Sequence, residues 1–339
     1  MASMGLHGAT LTYNVPPPTG KLNGVAVSPN SPGIPPFAFH AQHGSWTSSI
    51  DTDSLTGFEA CTTTVTGIVV QDGREAAERP RLVTHGFELA SDGSCAMVEA
   101  HSHLRDDDYV RAVHYAEAER LALQLLPDAK FAKAFNHIRR RNRPTLNAHA
   151  PSQTTTPRHS TNLSSPSYMV HADSADASWM PRVRDLVASG EFDRCGPTHL
   201  RSSAHSAALA ASDRIVVLNL WRLVTSFEQP VRTHLAMCDV RSVDLKRDTI
   251  PYHLHVDGCV GYNYGLDARH ATHHTWYYFP RLKSHEVIAF KAYDSCEPQS
   301  NTQSWVFHGA VDDPTCSALQ GEAPAAPRES LELRVVLAF

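Results

Sequence analysis

The chain is short of most features that announce a function. Its seven cysteines, at 61, 95, 195, 238, 259, 296 and 316, never form a Cys-x-x-Cys pair. An odd, dispersed set argues against a thiolate zinc site and a disulfide framework, and reads as reduced thiols. No run of about 18 apolar residues occurs, so no membrane-spanning helix is expected. Residues 1–14 carry no basic stretch followed by an apolar one; no secretion signal is expected, and the cytoplasm is the expected location. Charged residues make up only 19% of the chain and the net charge is −5, which gives no reason to expect nucleic acid or a membrane surface as partner. There is no Gly-x-Gly-x-x-Gly after a strand, no phosphate loop and no Gly-x-Ser-x-Gly elbow. No repeat of solenoid period is present.

What the chain does have is 339 residues with 42% hydrophobic content, enough for a sizeable core, and 21 histidines, an abundance that suits metal or proton chemistry. One unit spanning 1–339 is expected, with inserts near 143–167 and 195–212, where Ser, Thr, Pro and His displace apolar residues. The composition leaves a homodimer open.

Ala9–Tyr13 and Thr62–Val70 read as strands, with a proline-rich arm between them. Arg81–Glu88 is a further strand candidate interrupted by Gly86. Asp106–Leu126 is the best helix: three acids open it, apolar residues recur at helical spacing, and Pro127 ends it. Phe131–Ile138 reads as a strand. The basic run Arg139-Arg140-Arg141-Asn142-Arg143 after it reads as a solvated loop, with an anion-binding role as the alternative. From Arg214 onward strand follows strand: Ile215–Leu220, Leu235–Val240, Cys259–Tyr264, Thr275–Phe279, Glu286–Tyr293, Trp305–Val311 and Ser330–Ala338. Many strands with little helix between them predict a mainly β fold with flanking helices, an antiparallel sandwich or barrel.

Three pieces of sequence carry chemistry. His171 and Asp173 are two residues apart, so on an extended strand they share a face. His308 sits inside the apolar run Trp305–Val311, where an unpaired imidazole costs free energy. Arg328 and Ser330 share a strand face before Leu331–Val336, and a guanidinium and hydroxyl so placed can grip a carboxylate. Two imidazoles and one carboxylate would make a facial metal site with open positions. A rival pair, His255 and Asp257, lies closer to His308 and is favoured by spacing alone. His270, His273 and His274 form a third cluster.

The order His-x-Asp, distant His, Arg-x-Ser resembles that of iron(II)/2-oxoglutarate oxygenases. More specifically, Asn219-Leu220-Trp221-Arg222, Leu235–Val243, His274–Pro280, Asp294-Ser295, His308-Gly309-Ala310 and Pro327–Arg334, with Thr84–Phe87 as an early landmark, resemble the AsaB-like hydroxylase/desaturase family. The resemblance implies a double-stranded β-helix (jelly-roll, cupin-like) core, and it favours His171 over His255. It implies His171, Asp173 and His308 as iron ligands and catalytic centre, and Arg328 with Ser330 as the 2-oxoglutarate clamp. Arg222, Trp276 and Tyr278 are then assigned to the substrate pocket. The expected activity is hydroxylation or desaturation of a small, apolar secondary metabolite, in a fungal type of tailoring pathway. Two departures stand out: Thr275 replaces the family's arginine in His-Arg-Trp-Tyr-Tyr, and Gly309-Ala310-Val311 replaces Thr-Ala/Ser-Phe after the histidine. Some branches of this family are redox-neutral. They dehydrate a tropolone alcohol to an o-quinone methide and steer its hetero-Diels–Alder addition to a humulenol-type sesquiterpene, which requires neither iron nor 2-oxoglutarate.

Overall fold

The computed structural model describes residues 5–15, 24–25, 62–91, 106–141, 163–164, 166–173, 183–184, 187–188, 204–224, 231–256, 259–296, 305–317 and 328–339. Most of the proline-rich arm, most of the predicted insert 143–167, and Asp257 lie outside them.

Fifteen strands are described. In chain order they are β1 Gly5–Asn14, β2 Gly24–Val25, β3 Thr62–Asp72, β4 Phe87–Ser91, β5 Phe131–Arg141, β6 Leu163–Ser164, β7 His171–Ala172 and β8 Ile215–Leu223. They continue as β9 Thr233–Cys238, β10 Thr249–Val256, β11 Cys259–Leu266, β12 Trp276–Tyr278, β13 Glu286–Asp294, β14 His308–Asp312 and β15 Glu329–Ala338. They form a larger sheet in the order β1-β3-β12-β9-β14-β7-β11-β10-β2 and a smaller one in the order β4-β13-β8-β15-β5-β6. Bridges from Thr12 to Met169 and from Asn14 to Asp267 tie the edge strand β1 to segments beside β7 and β11. The larger sheet is thereby nearly closed on itself, and the core is a jelly roll.

The smaller sheet is covered on both faces, which is why β8 reads Ile-Val-Val-Leu-Asn-Leu-Trp-Arg-Leu and is buried along its whole length. On its outer face a helical segment packs: Asp107–Tyr109, a π-helical turn Val110–His114, and Tyr115–Leu125. Asp106 caps its start by accepting from the backbone amides of Asp108 and Tyr109. Val110, Ala118, Leu121 and Ala122 pack on Leu218, Leu220, Leu331, Leu333 and Val335, each large side chain contributing about 1.5–3 kcal/mol of burial. His137 and Arg139 on β5 both reach Asp107, fastening the helix start to the sheet. The inner face of this sheet meets the larger sheet through Trp221, Leu223, Ile288 and Phe290 against Leu235, Met237, Tyr277 and Phe279. A separate core, around Leu11, Tyr13, Val70, Trp276 and Phe307, fills the curl of the larger sheet on its other side.

Several expectations need correction. The run Arg81–Glu88 is a strand only from Phe87, because His85 turns back to the Arg81 carbonyl and Gly86 takes a φ of +83°. A side chain there would strike Val306 and Val240. The described part of the basic run is not a loop: Arg139, Arg140 and Arg141 belong to β5, paired with Leu331, Ser330 and Glu329, while Asn142 and Arg143 lie outside the described residues. The insert at 195–212 contains a helix, Ala204–Ala210. Trp305–Phe307 precedes its strand, which starts at His308. Strand β10 is an addition to the expected set. Among the described residues no helix is long and apolar enough to cross a membrane.

Candidate functional site

The site lies between the two sheets, and strand register builds it. In the antiparallel pair β7–β14, His171 and His308 are direct partners, with ring centroids 4.5 Å apart. His308 also pairs with Met237, so it points to the same inner side as Met237 and Tyr277. Each histidine bonds through Nδ1 to a carbonyl two residues back on its own chain: His171 to Met169 O at 2.7 Å, His308 to Val306 O at 3.1 Å. An Nδ1–H donated to a carbonyl leaves Nε2 with its lone pair free, the form a metal requires. Both Nε2 atoms face Asp173 Oδ1, at 3.7 Å from His171 and 3.8 Å from His308. Ligand atoms from these three residues all lie within 4.8 Å of one another, and no other such group of histidine, cysteine or acidic residues occurs among the described residues.

The carboxylate is fixed from the opposite sheet. Asn219 on β8 donates to Asp173 Oδ2, and Arg334 on β15 lies 3.2 Å from Oδ1. Arg334 also reaches Glu332 at 3.4 Å. Burial alone pushes the Asp173 carboxyl up, but Arg334 and the two imidazoles outweigh it and hold it well below the usual range. Burial, together with the neighbouring His171, pushes the His308 imidazole down to about 4. Burial and the Asp173 charge raise Glu332. At neutral pH the centre is thus an ionised carboxylate facing His308 in its neutral form.

Next to it is a small cavity of about 20 Å³, lined by Arg140, Ser167, His171, Trp221, Leu235, His308, Arg328 and Glu332 among others. That is room for about one water. Arg328 is 2% exposed; its Nη1 donates to the His234 carbonyl, and its guanidinium lies 5.5 Å from the Trp221 ring centre. Burial, then repulsion by Arg140, push its pKa down to about 10. Arg328 Nε and Ser330 Oγ are buried without a hydrogen-bond partner. Two orphaned donors two residues apart on one strand face are costly unless a ligand satisfies them. Beyond Trp221 and Leu235 opens a larger, mostly apolar cleft of about 390 Å³, walled by Leu223, His234, Tyr278, Phe279, Leu282 and Ile288.

The donor set suits a divalent cation with open positions: two imidazole nitrogens and one carboxylate oxygen, oriented by backbone carbonyls and Asn219. Two of the residues assigned to the substrate pocket stand elsewhere. Arg222 pairs with Leu331, whose side chain is in the helix-facing core, while its neighbour Trp221 takes the inner side. Trp276 alternates with Tyr277 and is buried in the other core, its Nε1 donating to the Tyr13 hydroxyl at 2.8 Å. Tyr278 lines the larger cleft. His274 is committed elsewhere, stacked on Tyr13 and 3.3 Å from Asp248. Thr275 accepts from the Asp239 amide and donates its own to Ser242, away from the cavity. Arg140, from the basic run whose alternative reading was anion binding, joins the site, as do the side chains of Asn219, Glu332 and Arg334, which the sequence did not mark as site residues. Period-two alternation from Ser330 is the signal that points to the last two.

The family described as oxidoreductase/YMDC permease-like domain matches residues 38–338. Among solved structures, an iron and alpha-ketoglutarate-dependent endoperoxidase, NvfI, is similar in three forms. A tryptophan-to-phenylalanine variant of it has a TM-score of 0.63 at 19% identity, covering 98% of this chain and 96% of that one. A form with a different conformation has a TM-score of 0.67 at 19% identity, covering 100% and 99%. A third has a TM-score of 0.62 at 18% identity, covering 97% of each. At this identity the likeness is one of fold. No curated protein matches.

Proposed function

The chain belongs to the oxidoreductase/YMDC permease-like family, and from that premise we propose that it is a non-haem iron(II)/2-oxoglutarate-dependent oxidoreductase. His171, Asp173 and His308 would hold the iron, and Arg328 with Ser330 the far carboxylate of 2-oxoglutarate. The observation that carries this is the meeting of two carbonyl-oriented imidazoles and one carboxylate at a single point, with unsatisfied arginine and serine atoms at the start of β15 in the facing sheet. The structural likeness to NvfI, which is named for dependence on iron and alpha-ketoglutarate, supports the same reading.

When bound, the iron would couple oxidative decarboxylation of 2-oxoglutarate to oxidation of the substrate. The protein's own part is orientation. Met169 and Val306 carbonyls fix the imidazole tautomers. Asn219 and Arg334 keep Asp173 ionised and turned toward the histidines. Trp221 and Leu235 form the wall shared by the inner cavity and the larger cleft. The apolar lining of that cleft suits a small, largely hydrophobic metabolite. The motif resemblance narrows the activity to hydroxylation or desaturation in secondary metabolism of the AsaB-like kind.

The test is turnover. Anaerobic addition of iron(II) and 2-oxoglutarate should raise a weak visible charge-transfer band, and air should then release succinate. A folded protein that gives neither rejects the reading.

One contact favours a second reading. Arg334 lies against Asp173 Oδ1, the same oxygen that faces both histidines, and so competes with a cation for it. A redox-neutral hetero-Diels–Alderase of the tropolone type would use this pocket without metal, with Arg328 holding an anionic oxygen. It predicts product formation undiminished by EDTA, and loss of product on chelation eliminates it.

A further inference from the structure

The basic run after Ile138 is divided by strand parity. Arg139 faces out and is 2.7 Å from Asp107; Arg141 faces out and is 2.8 Å from Glu329. Arg140 alternates with them and faces in, where it lines the small cavity with His171, His308 and Arg328. Its direct cross-strand partner is Ser330, which puts their Cβ atoms about 5 Å apart on one face. Arg328 and Ser330 both have buried polar atoms without partners.

We propose that Arg140 is the second arginine of the anion clamp, so that Arg328, Ser330 and Arg140 together receive one carboxylate of a dianionic 2-oxo acid. The proposal rests on the reading of this cavity as the 2-oxoglutarate site. Charge balance supports it. Three guanidinium groups (Arg140, Arg328, Arg334) face two carboxylates (Asp173, Glu332). A divalent cation would add to the positive excess. A cavity so charged favours metal and dianion together over either alone. Glu332 Oε1 stands 3.4 Å from Arg334, an ion-pair contact without a hydrogen bond. A ligand carboxylate can therefore take Arg140 without leaving Glu332 unpaired. Arg140 is thus a specificity-determining residue: it selects for the far carboxylate, not for the 2-oxo acid end.

The experiment compares two probes on the manganese-loaded full chain. One is 2-oxoglutarate. The other is 2-oxopentanoate, of equal length with a methyl group in place of the far carboxylate. Wild type should bind 2-oxoglutarate at least about 100-fold more tightly, as two charge-assisted contacts imply. Arg140→Gln should shrink that preference about tenfold or more, while manganese and 2-oxopentanoate affinities stay within about twofold. Arg140→Lys, which keeps the charge and loses the fork, should restore part of it. An unchanged preference in Arg140→Gln, with collapse in Arg328→Gln, overturns the role of Arg140 alone. No preference in wild type overturns the clamp and the cofactor reading together. Should Arg140→Gln fail to fold, Arg140→Lys decides: wild-type preference in that variant overturns the fork, and a reduced one supports it.

Discussion

His171 and His308 face each other directly across the β7–β14 pair, with their rings 4.5 Å apart and both Nδ1 atoms tied to backbone carbonyls. Their positions are therefore set by sheet register and not by loop conformation. Replacing either by alanine should leave the fold intact and weaken manganese(II) or cobalt(II) binding by about 100-fold or more, exceeding the usual effect of losing an outer-shell partner. Titration followed by electron paramagnetic resonance or by cobalt absorption checks this.

Asn219 acts one step back, through Asp173 Oδ2. Asn219→Leu removes the donor but keeps the volume. Metal affinity should fall about 10–100-fold. The melting temperature should change far less than for a core truncation, since the partner left behind still has Arg334.

The metal-free protein should lose stability as the pH falls from about 6.5 to 4. His308 titrates near 6.5 when unfolded and near 4 when folded. The unfolded state therefore binds more protons within that window, and stability rises with pH through it. The difference is of order 3 kcal/mol when fully expressed. Below about pH 4 the Asp173 carboxylate, depressed by Arg334, adds a further loss in the same direction. Thermal melts across pH 3.5–8 give the slope, and His308→Gln should flatten its upper part.

Trp221 and Trp276 separate ligand binding from stability. Trp276 is fully buried in the far core and bonded to Tyr13. Trp276→Ala should cost about 3–5 kcal/mol with little change in the affinity for 2-oxoglutarate in whatever protein remains folded. Trp221 lines both cavities and lies under Arg328. Trp221→Phe should alter ligand affinity several-fold, and an added 2-oxo acid should quench less fluorescence in it than in wild type.

Much of this architecture was legible because alternation and β-branching mark strands whether or not their partners are known. Each strand expected after Arg214 overlaps a described one, and the helix over 106–126 carried its own cap and stop. The centre was legible in part because His171 and Asp173 are local, and because a histidine within an apolar run calls for an explanation. What failed depended on the side of a sheet. Arg222 and Trp276 are one residue away from inner-facing Trp221 and Tyr277, and only pairing partners reveal which neighbour turns in. Arg140 was hidden because a run of arginines looks solvated until each one is assigned to its face. Alternation from Ser330 puts Arg334 on the inner face without naming its partner, and Asn219 acts through tertiary contact with a carboxylate distant in sequence, which no local pattern displays.

Asp173 belongs to the chain segment of one sheet but is gripped by Asn219 and Arg334 of the other. The carboxylate is therefore a rivet between layers. An occupied centre should resist sliding of one layer over the other, so saturation with a cation would slow amide exchange in β8 and β15 as well as beside the imidazoles. Occupancy could then be followed from the far layer, by isotope labelling of strands that contribute no ligand of their own.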